Sequence, residues 1–496
     1  MCQNCAGFGA EGMLLLLPIA IPVLGACIIL GLRNPRLATR AALLLGGLEI
    51  AALGVVIWQV HTHGELQAGR YLRADSLSSF FLMSIAFISG LVLVYASGYL
   101  RHTGEGRFSS PRWFYALVFL FLFTMVSVCL SANLGLLWIM MEGTTLASAL
   151  LVGFYNTEGA VEAGWKYLIV CTVGIAFALF GTIVLYLAAV KAGMNPAAAL
   201  DWVSLMNAGP RLGLDLSLLK LAFVFVIVGY GTKIGFVPMH SWLPDAHAEA
   251  PTPISALLSA VLLNCAMYAV MRYDAIVSHA AGPAFPHTLL LIFGVMSMVV
   301  AGLLILVQRN LKRLMAYSSV EHMGIIAIGL GLGGPLGLFG ALLHTFNHSV
   351  AKSLLFFSAG NIRHNLGTLR IDEINSMSRT MPQTSAALLV GSVAIVGLPP
   401  FALFVSEFAI LSEAFTQARY LVAALFLIVL SIVFGGFAYH LFRMLCGEPG
   451  QHPENPKLIP SEYMTMGIAG LCLLFFGARI PNLFSVLLRE AMAVLR

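Results

Sequence analysis

Apolar stretches long enough to cross a lipid bilayer recur along the whole chain of 496 residues. A helix needs about 20 mostly apolar residues to span the hydrocarbon core, where every backbone polar group must be satisfied within the protein. Such stretches lie at 13–32, 41–60, 76–100, 112–131, 134–154, 164–190, 217–237, 252–271, 286–307, 318–333, 335–360, 384–411, 420–446 and 462–485. The sequence therefore predicts an all-α polytopic membrane protein with about fourteen transmembrane helices.

Composition excludes a large soluble domain. Charged residues are 10% of the chain and hydrophobic residues 59%, whereas soluble domains carry about 25% charged residues. The first apolar stretch lacks the basic segment of a cleavable leader, so we expect it to remain as a helix. Lys and Arg are more frequent in loops after odd-numbered spans, which predicts that these loops lie in the cytoplasm and both termini outside.

No cofactor pattern is apparent. The chain has no Gly-rich nucleotide loop, no cysteine set for an iron–sulfur cluster and no paired histidines at haem positions. Cys2 and Cys5 form one C-x-x-C at the N-terminus, and a metal site would need further ligands. We expect no resident metal or cofactor and no nucleic-acid partner, and we expect redox chemistry to lie in partner subunits.

Two ionisable residues stand inside apolar runs, and they predict ion transport. Glu142 lies in LLWIMMEGTTLAS and Lys233 in VIVGYGTKIGFVPMH, where Pro238 removes a helical hydrogen bond. A charge at the bilayer centre costs about 2.5–3.5 kcal/mol on insertion scales, so it indicates function. Interrupted spans line hydrated cavities in transporters. The alternative is that Lys233 extends to the interface near its helix end.

A second interrupted span carries an acid. Pro399 and Pro400 break AIVGLPPFALFVSEF, and Glu407 follows two turns later. The breaks fall in the seventh and twelfth spans, which predicts two inverted five-helix repeats. We therefore expect N-terminal helices 1–3 over 1–111, a first repeat over 112–272, a second over 286–446 and a C-terminal helix over 447–496.

A polar stripe marks the eleventh span. His344, His348 and Lys352 are spaced four residues apart, so they share one helical face. Histidine titrates near physiological pH, which suits a proton relay. A single histidine there would more simply be a core residue. Glu321 and His322 open the predicted tenth span and could be interfacial.

Several of these strings resemble the antiporter-like subunits of respiratory complex I, group 4 membrane-bound hydrogenases and Mrp antiporters. The resemblance covers about spans 3 to 13 and is densest over Gly231–Leu263. Further matches are the Glu142 span, the KY pair Lys166–Tyr167, SSVEHMG at Ser318–Gly324 and GLPP…SEF at Gly397–Phe408. The sequence around EHMG, HAEAPTPISALLS and LLN is most similar to component F of hydrogenase-4 and formate hydrogenlyase complexes.

The resemblance implies a proton-transfer role for particular residues. Glu142 and Lys233 would form an acid–lysine pair, which Lys166 modulates. The hydrated axis would contain His322, His344, His348 and Lys352, and Glu407 would connect it to the exit. Where many members carry a lysine or histidine, this chain has Asn264, so the relay would use water and Tyr268. We also expect no long lateral helix after the last span.

The leading functional hypothesis is a proton-translocating, non-redox subunit of a membrane-bound hydrogenase or related oxidoreductase. Its partners would be other membrane subunits of the family and a soluble arm with iron–sulfur clusters and nickel–iron or flavin. One alternative is an Mrp-type cation/proton antiporter subunit. Another is a membrane scaffold that anchors a catalytic arm and conducts nothing.

Overall fold

The computed structural model describes residues 10–101, 110–446 and 459–496, so Cys2 and Cys5 lie outside the described residues. The first half of the chain folds into α1 (Ala10–Gly31), α2 (Pro35–His63), a hairpin of β1 (Leu66–Ala68) and β2 (Leu72–Ala74), α3 (Ser76–Tyr99), α4 (Pro111–Leu130), α5 (Leu134–Val152), α6 (Glu158–Lys191), α7 (Trp202–Leu212) and α8 (Leu216–Ile234). The two strands pair antiparallel, with Gln67 opposite Arg73.

The described part of the second half consists of helices joined by short connections. It comprises α9 (Leu243–Glu249), α10 (Thr252–Leu257), α11 (Leu263–Ala281), α12 (Ala284–Ile305), α13 (Leu311–Leu332), α14 (Gly334–Leu366), α15 (Met377–Thr380), α16 (Pro382–Ile395), α17 (Ala402–Thr416), α18 (Tyr420–Leu445), α19 (Pro460–Ala478) and α20 (Asn482–Val494). A five-residue π segment, Leu258–Leu262, joins α10 to α11.

The prediction of an all-α polytopic membrane protein is confirmed. The described residues contain 12 helices that are long and apolar enough to span a membrane, with α10, the π segment and α11 counted as one. Two further predicted spans are α14, which has 33 residues and a polar middle, and the interrupted pair α16 and α17. Each predicted span therefore coincides with a helix or an interrupted helix.

The central helices are buried and the outer ones face lipid or neighbouring subunits. α13 is buried along nearly all of its length, as are α10 and α11 up to Val277. By contrast, α1, α2 and α18 expose large apolar side chains such as Leu24, Trp58 and Phe442. A polar side chain on the central helices is therefore shielded from lipid by protein.

Two predicted span boundaries were wrong. α13 begins at Leu311 instead of 318, because the Asn310 side chain accepts hydrogen bonds from the Lys312 and Arg313 amides at 3.0 and 3.2 Å. Glu321 and His322 consequently lie in the middle of a buried helix, not at its interfacial end. The last predicted span is two elements, since α19 ends at Ala478 and α20 follows it.

Both predicted helix interruptions are present, although the first begins earlier than Pro238. α8 ends at Ile234 because Gly235 adopts φ +84°, in the left-handed region that glycine tolerates. The Trp242 indole donates a 2.8 Å hydrogen bond to the freed Thr232 carbonyl. In the second interruption, α16 ends at Ile395, Pro399 and Pro400 follow, and α17 begins at Ala402.

Candidate functional site

Lys233 lies in the last turn of α8 and is completely buried. Its Nζ donates hydrogen bonds to Thr145 Oγ1 on α5 at 2.7 Å and to Tyr167 OH on α6 at 2.6 Å. The Tyr167 hydroxyl also lies 2.7 Å from Ser148 Oγ, which extends the network along α5. Lys233 does not extend to an interface. It is held at the helix interruption by neutral hydroxyl groups.

Glu142 lies on α5, one turn before Thr145, but it points towards the partly exposed side of that helix. Its Oε1 accepts a 2.8 Å hydrogen bond from Thr172 Oγ1 of α6, and its Oε2 is buried without a hydrogen-bond partner. Glu142 and Lys233 do not form an ion pair. Thr145 and Tyr167 are therefore the direct partners of the lysine.

Lys166 contacts neither member of that pair by hydrogen bond. Its Nζ binds the carboxylate of Asp245, which also binds the guanidinium of Arg313. These residues come from the start of α6, from α9 and from the start of α13. The cluster brings together loops that follow the fifth, seventh and ninth spans on one face of the protein. Loops after odd-numbered spans should all lie on one side of a protein with fourteen spans, and these three loops do.

A cluster of histidines occupies the second half. His322 Nδ1 on α13 and His344 Nε2 on α14 share a hydrogen bond of 2.8 Å, and His344 Nδ1 lies 2.9 Å from Ser406 Oγ on α17. The His348 ring centroid lies 5.4 Å from that of His322. All three rings are buried, and neither His348 nitrogen has a hydrogen-bond partner among the described residues. The predicted stripe on α14 therefore faces α13 and α17.

Glu407 on α17 and Glu321 on α13 border this cluster. Glu407 packs so closely on the second interruption that a Cβ at Gly397 would lie 1.8 Å from its Oε2. Ligating atoms of His322, His344 and Glu407 lie within 4.8 Å of one another, and such a donor set could also hold a metal ion. In the part of the chain that the structure describes, Glu407 Oε1 and both oxygens of Glu321 are buried without a hydrogen-bond partner.

Two buried lysines lie beyond the histidines. Lys352 Nζ on α14 donates to the Met315 carbonyl at 2.8 Å. Lys312 Nζ, at the start of α13, donates to the Ala250 carbonyl at 2.5 Å. Buried amines therefore continue from the histidine cluster towards the face that carries Asp245. Lys352 belongs to the predicted stripe, whereas Lys312 was expected in the loop between the ninth and tenth predicted spans.

Asn264 lies between the two halves, where the π segment meets α11. Its Nδ2 donates to the Ala260 carbonyl at 2.8 Å and to Ser349 Oγ of α14 at 2.8 Å. Ser349 Oγ also donates to the Ala260 carbonyl, at 2.6 Å. Asn264 Oδ1 is buried without a partner. The π segment, a feature frequent at functional sites, thus supplies an acceptor that an α-helix would not expose.

Sequence reasoning missed the partners that lie on other helices. Thr145 and Ser406 have no local pattern that distinguishes them from other polar residues. Tyr167 was identified as part of a family string but without a role. Two signals were available for Lys312, namely the N-cap sequence at Asn310 and the apolar residues that follow it.

Comparison with known proteins identifies the family. A family model described as NADH:quinone oxidoreductase/Mrp antiporter, TM, matches residues 131–435, and one described as NADH-Ubiquinone oxidoreductase (complex I), chain 5 N-terminus, matches residues 58–109. The Hydrogenase-4 component F homolog of Methylacidiphilum infernorum (isolate V4) is 39% identical over 421 residues, which cover 83% of this chain and 86% of the relative.

Solved structures show the same fold. A chain of the membrane-bound sulfane sulfur reductase, an archaeal respiratory membrane complex, superposes with a TM-score of 0.85 at 23% identity, over 97% of both chains. A chain of the Mrp complex from Dietzia sp. DQ12-45-1b gives a TM-score of 0.84 at 18% identity, over 98% of this chain and 97% of that one. These likenesses and the sequence matches confirm the predicted resemblance, and the chain belongs to the NADH:quinone oxidoreductase/Mrp antiporter family of membrane proteins.

Proposed function

We propose that this chain is the proton-translocating, non-redox subunit of a redox-driven membrane complex of the hydrogenase-4, formate hydrogenlyase or NADH:quinone oxidoreductase type. The observation that carries the proposal is the completely buried Lys233, bonded to the neutral hydroxyls of Thr145 and Tyr167. An amine with neutral partners can gain or lose its proton without leaving a buried carboxylate unpaired.

In this proposal protons move along a polar axis through the centre of the membrane. Glu142 alters the field at Lys233, and Lys166 adjusts that effect through its contact with Asp245. Asn264, Tyr268 and water connect Lys233 to the second half. There, His348, His344 and His322 relay protons, with Lys352 at one side and Glu407 as the terminal acid. The 2.8 Å hydrogen bond between His322 and His344 supports direct transfer between these rings.

The proposal treats the chain as two functional repeats. Residues 112–272 contain the interruption at Gly235–Pro238 beside Lys233, and residues 286–446 contain the interruption at Gly397–Pro400 beside Glu407. Residues 1–111 and 447–496 flank them. Each repeat thus places one ionisable group where backbone hydrogen bonding stops, which is where transporters bind ions.

We further propose that the redox centres belong to partners. Other membrane subunits of the family and a soluble arm with iron–sulfur clusters and nickel–iron or flavin would drive the transfer. The complex would lie in a bacterial inner membrane with both termini of this chain outside. The identity to a hydrogenase-4 component F homolog supports the hydrogenase type.

The decisive experiment replaces Lys233 by alanine and measures proton uptake per redox turnover in inverted membrane vesicles. We expect the complex to assemble and proton uptake to be lost. Lys220→Ala is the matched control, because Lys220 lies on the same helix with an exposed side chain and contacts the Phe285 ring at 5.5 Å. Uptake at the wild-type level in Lys233→Ala would overturn the proposal and favour the scaffold.

An Mrp-type antiporter subunit is the second candidate, supported by a TM-score of 0.84 to a chain of an Mrp complex. Affinity purification of the intact complex separates the two. A nickel–iron or flavin subunit in the purified complex supports redox-driven translocation. Co-purification of small hydrophobic chains alone, together with Na⁺-dependent proton exchange, would establish the antiporter function instead.

A further inference from the structure

A buried ion pair links α3 to α11, away from the polar axis. Arg272 of α11 donates from Nη1 to Asp75 Oδ2 at 2.7 Å and from Nη2 to Asp75 Oδ1 at 2.5 Å. Nη2 also donates to Ser78 Oγ at 3.1 Å. The guanidinium lies 4.0 Å from the ring centroid of Trp202. Only 1% of the Arg272 side chain is exposed, so this is an ion pair removed from bulk water.

A cavity of about 320 Å³ lies on one side of this pair. Asp75 and Trp202 line it, together with Glu65, His279 and Ala493. These residues belong to the connections after the second and sixth spans and to the ends of α11 and α20. They therefore occupy the face opposite to the Lys166–Asp245–Arg313 cluster. The cavity reaches the surface, since its lining residues Glu65 and Ala493 are exposed.

A short chain of hydroxyls lies on the other side of the pair. Tyr268 OH is 3.1 Å from Ser78 Oγ, so Tyr268, Ser78 and Arg272 form a continuous contact. Tyr268 is completely buried and lies one helical turn from Asn264, on the same face of α11. The Tyr268 hydroxyl, Ser78 and the Asp75–Arg272 pair thus lie between the polar axis and the cavity.

We propose that the Asp75–Arg272 pair is a gate in a proton passage that joins the central axis to this cavity. This inference rests on the proposed function. Water beside Asn264 gives a proton to the Tyr268 oxygen, and Tyr268 turns its hydroxyl away from the Cys129 carbonyl, to which it donates at 3.0 Å, and gives its own proton to Ser78. Ser78, whose amide donates to Asp75 Oδ1 at 2.8 Å, then turns its hydroxyl towards that carboxylate and gives its own proton to Asp75. Each hydroxyl gains one proton and loses one, so neither changes its charge. Protonated Asp75 releases Arg272, gives the proton to water in the cavity and then recaptures the guanidinium.

The orientation sets the direction of transfer. If both termini lie outside, the cavity opens outside and the passage releases protons there. A purely structural role is the simpler alternative, since the pair also fastens α3 to α11. Removal of the Tyr268 hydroxyl separates the two, because Tyr268 carries protons in the passage but holds neither carboxylate oxygen of Asp75.

The first test compares Tyr268→Phe with Tyr273→Phe in the intact complex. Tyr273 lies on the same helix, is buried, and bonds Thr182 Oγ1 at 2.6 Å away from the passage. We expect Tyr268→Phe to lower proton translocation per redox turnover about tenfold or more, the scale of a lost proton-transfer group. Tyr273→Phe should leave it unchanged. Equal translocation in the two variants, with Lys233→Ala still inactive, would overturn the gate and remove Tyr268 from the polar axis, while proton translocation through Lys233 would stand.

The second test blocks the cavity without altering the buried residues. A membrane-impermeant, bulky thiol reagent is applied to Ala493→Cys from each side of sealed vesicles. The unsubstituted protein is treated in parallel, because Cys27 and Cys446 are exposed. We expect labelling from the outer side to stop proton translocation. Redox turnover should then either continue without translocation or slow down. Complete labelling without loss would overturn the passage, and labelling from the cytoplasmic side would overturn release as its direction.

Discussion

The two halves of the chain hold their buried charges differently. In the first half, Lys233 makes two hydrogen bonds to hydroxyls, and the nearby Glu142 lies at a partly exposed helix surface. In the second half, His322, His344 and Glu407 lie together in the interior, with Glu321 beside them. The first half therefore holds one ionisable amine by direct hydrogen bonds, whereas the second half places several ionisable side chains within a few ångströms of one another.

The difference shows where water is needed. Lys233 already has hydrogen-bond partners in the protein, whereas both nitrogens of His348, both oxygens of Glu321 and Oε1 of Glu407 are buried without a hydrogen-bond partner among the described residues. An unpartnered buried polar group costs about 1–3 kcal/mol, and ordered water is its usual partner. We infer that the second half works as a hydrated relay and the first as a single switchable site.

The largest effect should come from removing the terminal acid. Glu407→Gln keeps the side-chain volume but cannot exchange a proton, so proton translocation per turnover should fall about tenfold or more. Glu413→Gln is the control on the same helix, because its carboxylate caps α14 through the Leu336 amide at 3.0 Å. Translocation measured in vesicles should distinguish them. An active Glu407→Gln would place the terminal acid elsewhere.

The paired histidines should act as a unit. His322→Ala and His344→Ala should each lower translocation severely, and the double variant should be little worse than either single one, as for groups in one relay. His440, on α18, bonds the Ile305 carbonyl at 3.2 Å and provides the control. The effects of His322→Ala and His440→Ala should add. Additive losses for His322 and His344 would show that the two rings work on separate routes.

A smaller effect is expected at Lys233 when one of its two partners is removed. Tyr167→Phe deletes a hydrogen bond to a charged group, worth about 1.5–3 kcal/mol, while Thr145 remains bonded. Translocation should fall but not vanish. Tyr186→Phe, on the same helix and without a role at the lysine, should match the wild type. Complete loss in Tyr167→Phe would mean that the hydroxyl itself transfers protons.

The smallest effect should come from the cluster at the protein face. Asp245→Asn weakens the contacts with Lys166 and Arg313, whose side chains are 41% and 39% exposed. Such pairs contribute about 0–1 kcal/mol and are screened by salt. Thermal stability and translocation should change slightly, and less at high ionic strength. If Lys166→Ala abolished translocation while Asp245→Asn did not, Lys166 would act on Glu142 directly.

The sequence was sufficient for the helices and for the faces they bury. Apolar run length predicted every span, and the spacing of His344, His348 and Lys352 predicted one shared face, because both follow from local helix geometry. Gly and Pro marked the two interruptions for the same reason. Span ends were less secure, as the capping residue Asn310 shows.

Contacts between helices could not be read in this way. The hydrogen bonds of Lys233 to Thr145 and Tyr167 depend on how α5, α6 and α8 pack, and no local pattern reports that packing. The same holds for Ser406 beside His344 and for the Asp75–Arg272 pair, whose members are almost two hundred positions apart. Sequence alone predicted which helices carry ionisable groups but not which neighbours those groups have.

The π segment Leu258–Leu262 has a consequence for the evolution of the chain. A π turn holds one residue more than an α turn, so loss of a single residue there would restore a regular helix. Everything before that point would then rotate by about 100° relative to Asn264 and Tyr268. Insertions and deletions are tolerated in the loops of such a protein. This short stretch, however, must keep its length so that the side chains before and after it keep their relative orientation about the helix axis.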